Sequence, residues 1–214
     1  MTRNQKSQVF YPTKHVFAAA CAAERINGDY VSSVDESSNK PEKSTNKSLM
    51  LLLLNNSLEI TEEDRAKADL VIRNYQALSF KLLGGKTLNE FESKSMELAT
   101  GEQVAHRDIG VVAYLPVGYN RAEASRKIDQ QVRECEAKYC GAVGDKVNLN
   151  VEVIRIIFSH NWGCYFITAV TKDNLAVSFA FSKQLELNKT YQIKAKVKEH
   201  NEKFVTKLNF VKLA

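Results

Sequence analysis

The last seventy residues constrain the fold of this chain more than any other part. After "GAVGD", Gly141–Asp145, the sequence becomes rich in Val, Ile, Phe, Tyr and Thr, and turn formers recur at short intervals. Five strands are expected: "KVNLNVEVIRIIFS", "CYFITAVT", "LAVSFAFS", "YQIKAKVKEH" and "FVTKLNFVKL", joined by "HNWG", "KDN", "KQLELNKT" and "NEK". The first strand slips phase. Val147, Leu149, Val151 and Val153 lie on one face, then Ile154, Ile156 and Phe158 on the other, which requires a bulge or a sharp bend. Five strands with a long, bent first one fit a small closed barrel of the OB type, with an SH3-like barrel as the alternative. The helix usual between the third and fourth strands has to be abbreviated, because "KQLELNKT" is short.

The first two thirds read differently. "YPTKHVFAAACAAERINGDY" is an alanine-rich helix broken at Asn27-Gly28. Ser32 to Ser48 is nearly free of apolar residues and is expected to be a mobile loop. "LMLLLLNN" follows as a short buried helix. The next helix is capped by Thr61 and stopped at Gly84-Gly85; another opens with a capping box from Thr87 to Glu90 and closes at Gly101. "DIGVVAYLP" is an apolar segment cut by Pro116, and a charged helix runs from Asn120 to about Cys140. The expected organisation is therefore α+β: a helical region, 1–142, followed by a barrel, 143–214.

Charge divides along the same line. Residues 1–144 carry 19 basic and 19 acidic side chains, and residues 145–214 carry 11 and 6, so the whole net charge of +5 lies in the barrel. An anionic partner is expected there. The β-forming "YQIKAKVKEH" places Lys194, Lys196 and Lys198 on one face with no carboxylate among them. Arg155, Lys183, Lys203 and Lys207 extend a path suited to phosphates. Trp162, the lone tryptophan, sits in the turn between the first two strands, where an OB barrel meets an oligonucleotide, and Tyr165 follows it.

Catalytic signatures are missing. Gly85-Lys86-Thr87 ends like a P-loop, but Phe80 stands where its first glycine belongs. No GxSxG or HExxH occurs, and the four cysteines and four histidines are scattered, so neither an enzyme nor a metal or cofactor site is expected. The longest apolar run, Leu49–Leu54, is too short to span a bilayer, and the first residues lack the apolar stretch of a signal peptide, so a cytoplasmic protein with no membrane partner is expected.

The ending carries a resemblance. Val197, Lys198, His200, Thr206, Leu208, Val211 and Lys212 resemble the closing "tVKxH…xxTxLxxVK" run of OB-fold modules in phage-encoded single-stranded DNA-binding proteins. The likeness covers about the last 75 residues. It implies a largely sequence-independent single-stranded DNA-binding protein of phage replication or transcription, located in the host cytoplasm, with His200 beside the lysines. The flexible acidic tail of bacterial-type relatives is not matched by "KLNFVKLA". Two other readings stay open: an adaptor that recruits a polymerase or another replication factor, and an RNA-binding barrel.

Overall fold

The computed structural model describes residues 9–32 and 44–214. Most of the loop expected at Ser32–Ser48 therefore lies outside the described residues. The chain packs as two compact units, Met1–Ala122 and Glu123–Ala214.

The first unit is built on α1, Thr13–Asn27, whose residues from Val16 to Ala23 are all buried. Alanine side chains let neighbouring helices approach closely, and α1 is packed by α2, Asn46–Leu54, and α3, Glu62–Gln76. Phe17, Met50, Leu53, Val71, Ile109, Val112 and Leu115 fill the space between them. α2 begins three residues before "LMLLLL", because Thr45 caps it by accepting from the Ser48 N–H at 3.0 Å. Asn46 is pinned at its entry: its backbone N–H donates to Val31 O, and its Oδ1 accepts from Val31 N–H and Asn27 Nδ2.

Several helix boundaries differ from expectation. The helix capped by Thr61 stops at Gln76 rather than Gly84-Gly85, and a separate turn, α4, covers Ser79–Leu83. Gln76 donates to Ala99 O at 2.9 Å, a tertiary bond at the point of interruption. α5, Glu90–Thr100, is capped by Asn89 and not Thr87. Asn89 Oδ1 accepts from the Glu92 N–H at 2.8 Å, and Glu92 accepts in return from the Asn89 N–H at 3.1 Å. Pro116 does not cut a helix; after the short α6, Ile109–Val112, it sits in the first turn of α7, Leu115–Arg133, where its missing N–H costs nothing. α7 ends well before Cys140, because the following backbone is bonded to the barrel: Glu136 N–H donates to Asn174 O, and Cys140 N–H to Thr206 Oγ1. A two-stranded antiparallel sheet, β1 at Phe10–Pro12 with β2 at Gln103–Ala105, was not expected. Three residues are too few to display a period of two.

α7 carries a glycine inside its helical span. A Cβ on Gly118 would lie 2.7 Å from Tyr75 Oη, the hydroxyl that donates to Leu115 O at 3.1 Å. Gly118→Ala is expected to displace this buried tyrosine and destabilise the unit by about 1–2 kcal/mol despite alanine's better helix propensity. A lowered urea midpoint at unchanged m would register it.

The second unit is a closed five-stranded barrel: β3, Lys146–Ser159; β4, Cys164–Thr171; β5, Ala176–Phe181; β6, Thr190–His200; and β7, Thr206–Leu213. The strand order is β3–β4–β5–β7–β6, with β6 closing on β3 and β5 running parallel to β7. This is the OB-type order, and the protein is α+β with an OB-type barrel. Val151, Val153, Ile167, Ala169, Phe179, Ile193, Val197 and Leu208 fill its interior. The expected phase slip is a bulge between Val153 and Arg155 in the β3–β4 pairing. The residues before it also pair with β6, and those after it pair only with β4. The 182–189 connection forms no helix; it drops Leu185 into the core and bonds β3 through Asn188 N–H to Val153 O.

Candidate nucleic-acid interface

β6 follows its sequence alternation. Ile193, Ala195 and Val197 point inward, and Lys194, Lys196 and Lys198 point to solvent. The pairing register adds two lysines that the linear sequence did not assemble. Lys146 on β3 lies directly opposite Lys196, and Lys212 on β7 directly opposite Lys194. Like charges placed opposite each other across strands are destabilising, by up to about 1 kcal/mol a pair. Among the described residues, no carboxylate pairs with any of these five lysines. The outer-face neighbours are amides: Asn148 opposite Lys194, Asn209 opposite Lys196, and Asn150 opposite Gln192.

An aromatic ring stands in the same face. Between the Lys196–Asn209 and Lys194–Lys212 pairs, β6 contributes Ala195 alone, whereas β7 contributes Phe210 and Val211. This is a two-against-one bulge, and its first residue, Phe210, has φ +50°. Glycine is the usual occupant of that left-handed position; a bulky side chain there costs of order 1–2 kcal/mol. The bulge also reverses which side chain faces inward. Leu208 is buried, and two residues on Phe210 would be expected inside, but Val211 packs against the core instead. Phe210 is left 78% exposed.

The residues singled out from sequence fall into several groups. Lys194, Lys196 and Lys198 form the core of the face just described. Lys183 and Lys203 are exposed on connections, the latter in a turn organised by Asn201, whose Oδ1 accepts from the Lys203 and Val205 N–H groups. Lys207 is bonded to its cross-strand neighbour Glu199 at 2.6 Å, and that ammonium holds the Glu199 carboxyl below the usual range. Arg155 is occupied by α7: it donates to Ser125 Oγ at 2.6 Å and pairs with Asp129 at 3.2 Å. His200 is stacked flat on Tyr139, with centroids 4.0 Å apart and planes within 3°. Tyr165 faces the end of the barrel interior, against Phe158, with its hydroxyl 3.5 Å from Gln184 Oε1.

Trp162 is open to solvent, 77% exposed in the β3–β4 turn. Strand pairing does not bring it beside the lysines. β6 runs along Lys146–Glu152, the first half of β3, and Trp162 lies beyond the far end of that 14-residue strand. The outer residues of β4 and β5 in its neighbourhood, Phe166, Thr168, Ser178 and Ala180, carry no charge. α7 and the segment after it are tied to this side at Arg155 and at Asn174, which donates to Glu134 O.

Burial pushes the Cys21 thiol up to about 12 and raises those of Cys135 and Cys140, the reverse of what a nucleophile needs. Among the described residues, no three His, Cys, Asp or Glu side chains are grouped to hold a metal ion, and no helix is long and apolar enough to cross a membrane. Comparison with protein-family models, with curated proteins and with solved structures found no match for this chain.

Proposed function

We propose that this protein binds single-stranded DNA without sequence preference, in the manner of phage-encoded OB-fold proteins of replication or transcription, and that it is not an enzyme. The observation that carries the reading is the lysine cluster on the outer face of β3, β6 and β7, where Lys146 lies opposite Lys196 and Lys194 opposite Lys212, and where, among the described residues, none of these four is ion-paired with a carboxylate. A fold that tolerates two repulsive cross-strand pairs in its resting state gains when a polyanion lies over them. Lysines act on phosphates as point charges and read no base, which accounts for sequence independence.

The test is anisotropy of a labelled oligonucleotide titrated with the full chain at two salt concentrations, with a duplex of the same sequence and an equal-length RNA alongside. Five phosphate contacts predict a slope of log K against log salt of about −3 to −4 for a single strand. A flat salt dependence, or no binding at low salt, sinks the proposal. Tighter binding of RNA shifts it to the RNA-binding reading, where the 2′-hydroxyl discriminates.

A second reading rests on a different surface. Ile157 and Phe166 are directly paired across β3 and β4, both outward and about half exposed, near the open Trp162. An adaptor docking a polymerase or another replication factor would use that apolar outer face. Such a partner would survive charge reversal of Lys194 and Lys196, which DNA binding would not.

A further inference from the structure

We infer that Phe210 is the base-stacking platform of the lysine face and the residue that makes it prefer unpaired strands; this rests on the single-strand reading above. Three observations converge on the ring. It is held outward by a left-handed backbone that phenylalanine rarely adopts, where glycine would sit without strain. Its position in the register falls between two lysine-bearing rungs, Lys196–Asn209 with Lys146 beyond, and Lys194–Lys212. Its inward place in the alternation is taken by Val211, so the ring is not needed to fill the barrel.

The surroundings select the ligand. The outward side chains around Phe210 are lysines and amides, so the ring is an isolated aromatic in a cationic, hydrogen-bonding field. A membrane surface would require a broader apolar area to bury. An acidic peptide would satisfy the lysines and leave the ring without a partner. A single strand offers both parts at once: phosphates for the lysines and an unstacked base face for the ring. In a duplex, base faces are covered by their neighbours, so only the lysines can engage. The outer face of β3, β6 and β7 is the ligand path on this view, rather than that of β4 and β5.

The experiment compares the wild-type chain with Phe210→Ala, Phe210→Gly and Phe210→Tyr, using a labelled oligothymidine strand, a duplex and anionic phosphatidylserine vesicles as probes. Alanine and glycine are expected to weaken single-strand binding about 5- to 100-fold. They should leave the salt slope and duplex binding unchanged, while tyrosine stays within about threefold of wild type. Glycine relaxes the positive φ, so Phe210→Gly should melt no lower than wild type, which separates loss of stacking from loss of fold. If the alanine and glycine variants bind the single strand as wild type does, the inference is overturned and the single-strand reading stands. Equal loss on single strand and duplex also overturns it, as does loss confined to vesicles. No binding of the strand by wild type at low salt sinks both.

Discussion

Replacing Lys194 and Lys196 together with glutamate is expected to weaken single-stranded DNA binding about hundredfold at low salt and, in the same protein, to raise the stability of the barrel. Both effects come from one register. Losing two phosphate contacts removes about 1.4 from the salt slope, and the new carboxylates add repulsion. In the free protein the substitution turns the Lys146–Lys196 and Lys212–Lys194 pairs into pairs of opposite charge. At 0.2–1 kcal/mol for each cross-strand pair, the expected gain is about 1 kcal/mol, a rise of several degrees in Tm. Anisotropy and calorimetry on one preparation check both arms. A variant that binds less and also melts lower would have lost structure, and cross-strand repulsion would not be what the lysines cost the fold. A variant that melts higher but binds unchanged would leave the lysines as a solvated face.

The second large effect lies in the helical unit. Asp64 is only 3% exposed and accepts from Arg25 Nε and Nη2, each at 2.9 Å, from the Thr61 hydroxyl at 2.9 Å and from the Thr61 N–H at 3.0 Å. Burial alone would raise this carboxyl. The bonds from Arg25 and Thr61 outweigh burial and hold it below its ordinary range. A depressed carboxyl contributes stability that is fully present above its unfolded value of about 3.9 and is lost as pH falls through the folded value. Unfolding followed by helix signal should therefore be flat between about pH 5 and 7 in this respect and decline below about pH 4. Asp64→Ala removes the ion pair and the capping box that starts α3, and is expected to cost about 3 kcal/mol at pH 7 while flattening the acid decline. An unaltered acid decline in the variant would assign the decline to other carboxylates.

The barrel was readable because its strands alternate or run apolar within short bounds, and the bend in β3 showed as valines at odd positions giving way to isoleucines at even ones. Helix limits were less readable. Thr87-x-x-Glu90 and Asn89-x-x-Glu92 offer equivalent caps, and nothing local ranks them. Pro116 can end one helix or begin another, and only packing decides. The site divided in the same way. Lys194 and Lys196 were visible from alternation alone, but Lys146 and Lys212 join them through register, which is a property of pairs of strands. Even spacing from Leu208 would by alternation alone turn Phe210 into the barrel. The sequence does hold a signal: polar Lys207 and Asn209 are odd, polar Lys212 is even, so the phase must slip between them. The contacts of Arg155 with α7 and of His200 with Tyr139 are tertiary, and no local pattern announces them.

The position of β7 between β5 and β6 has a consequence for synthesis. As the ribosome delivers the chain, the helical unit is supplied first. The barrel cannot close until β7 emerges, since it alone joins β5 to β6. Until then both of those strands wait with an unpaired edge, the condition in which nascent β-proteins associate with one another. The lysines of β6 are in place during that interval. Like charge on identical strands of neighbouring nascent chains opposes their edge-to-edge pairing, so lysines on β6 would act against association before the barrel closes.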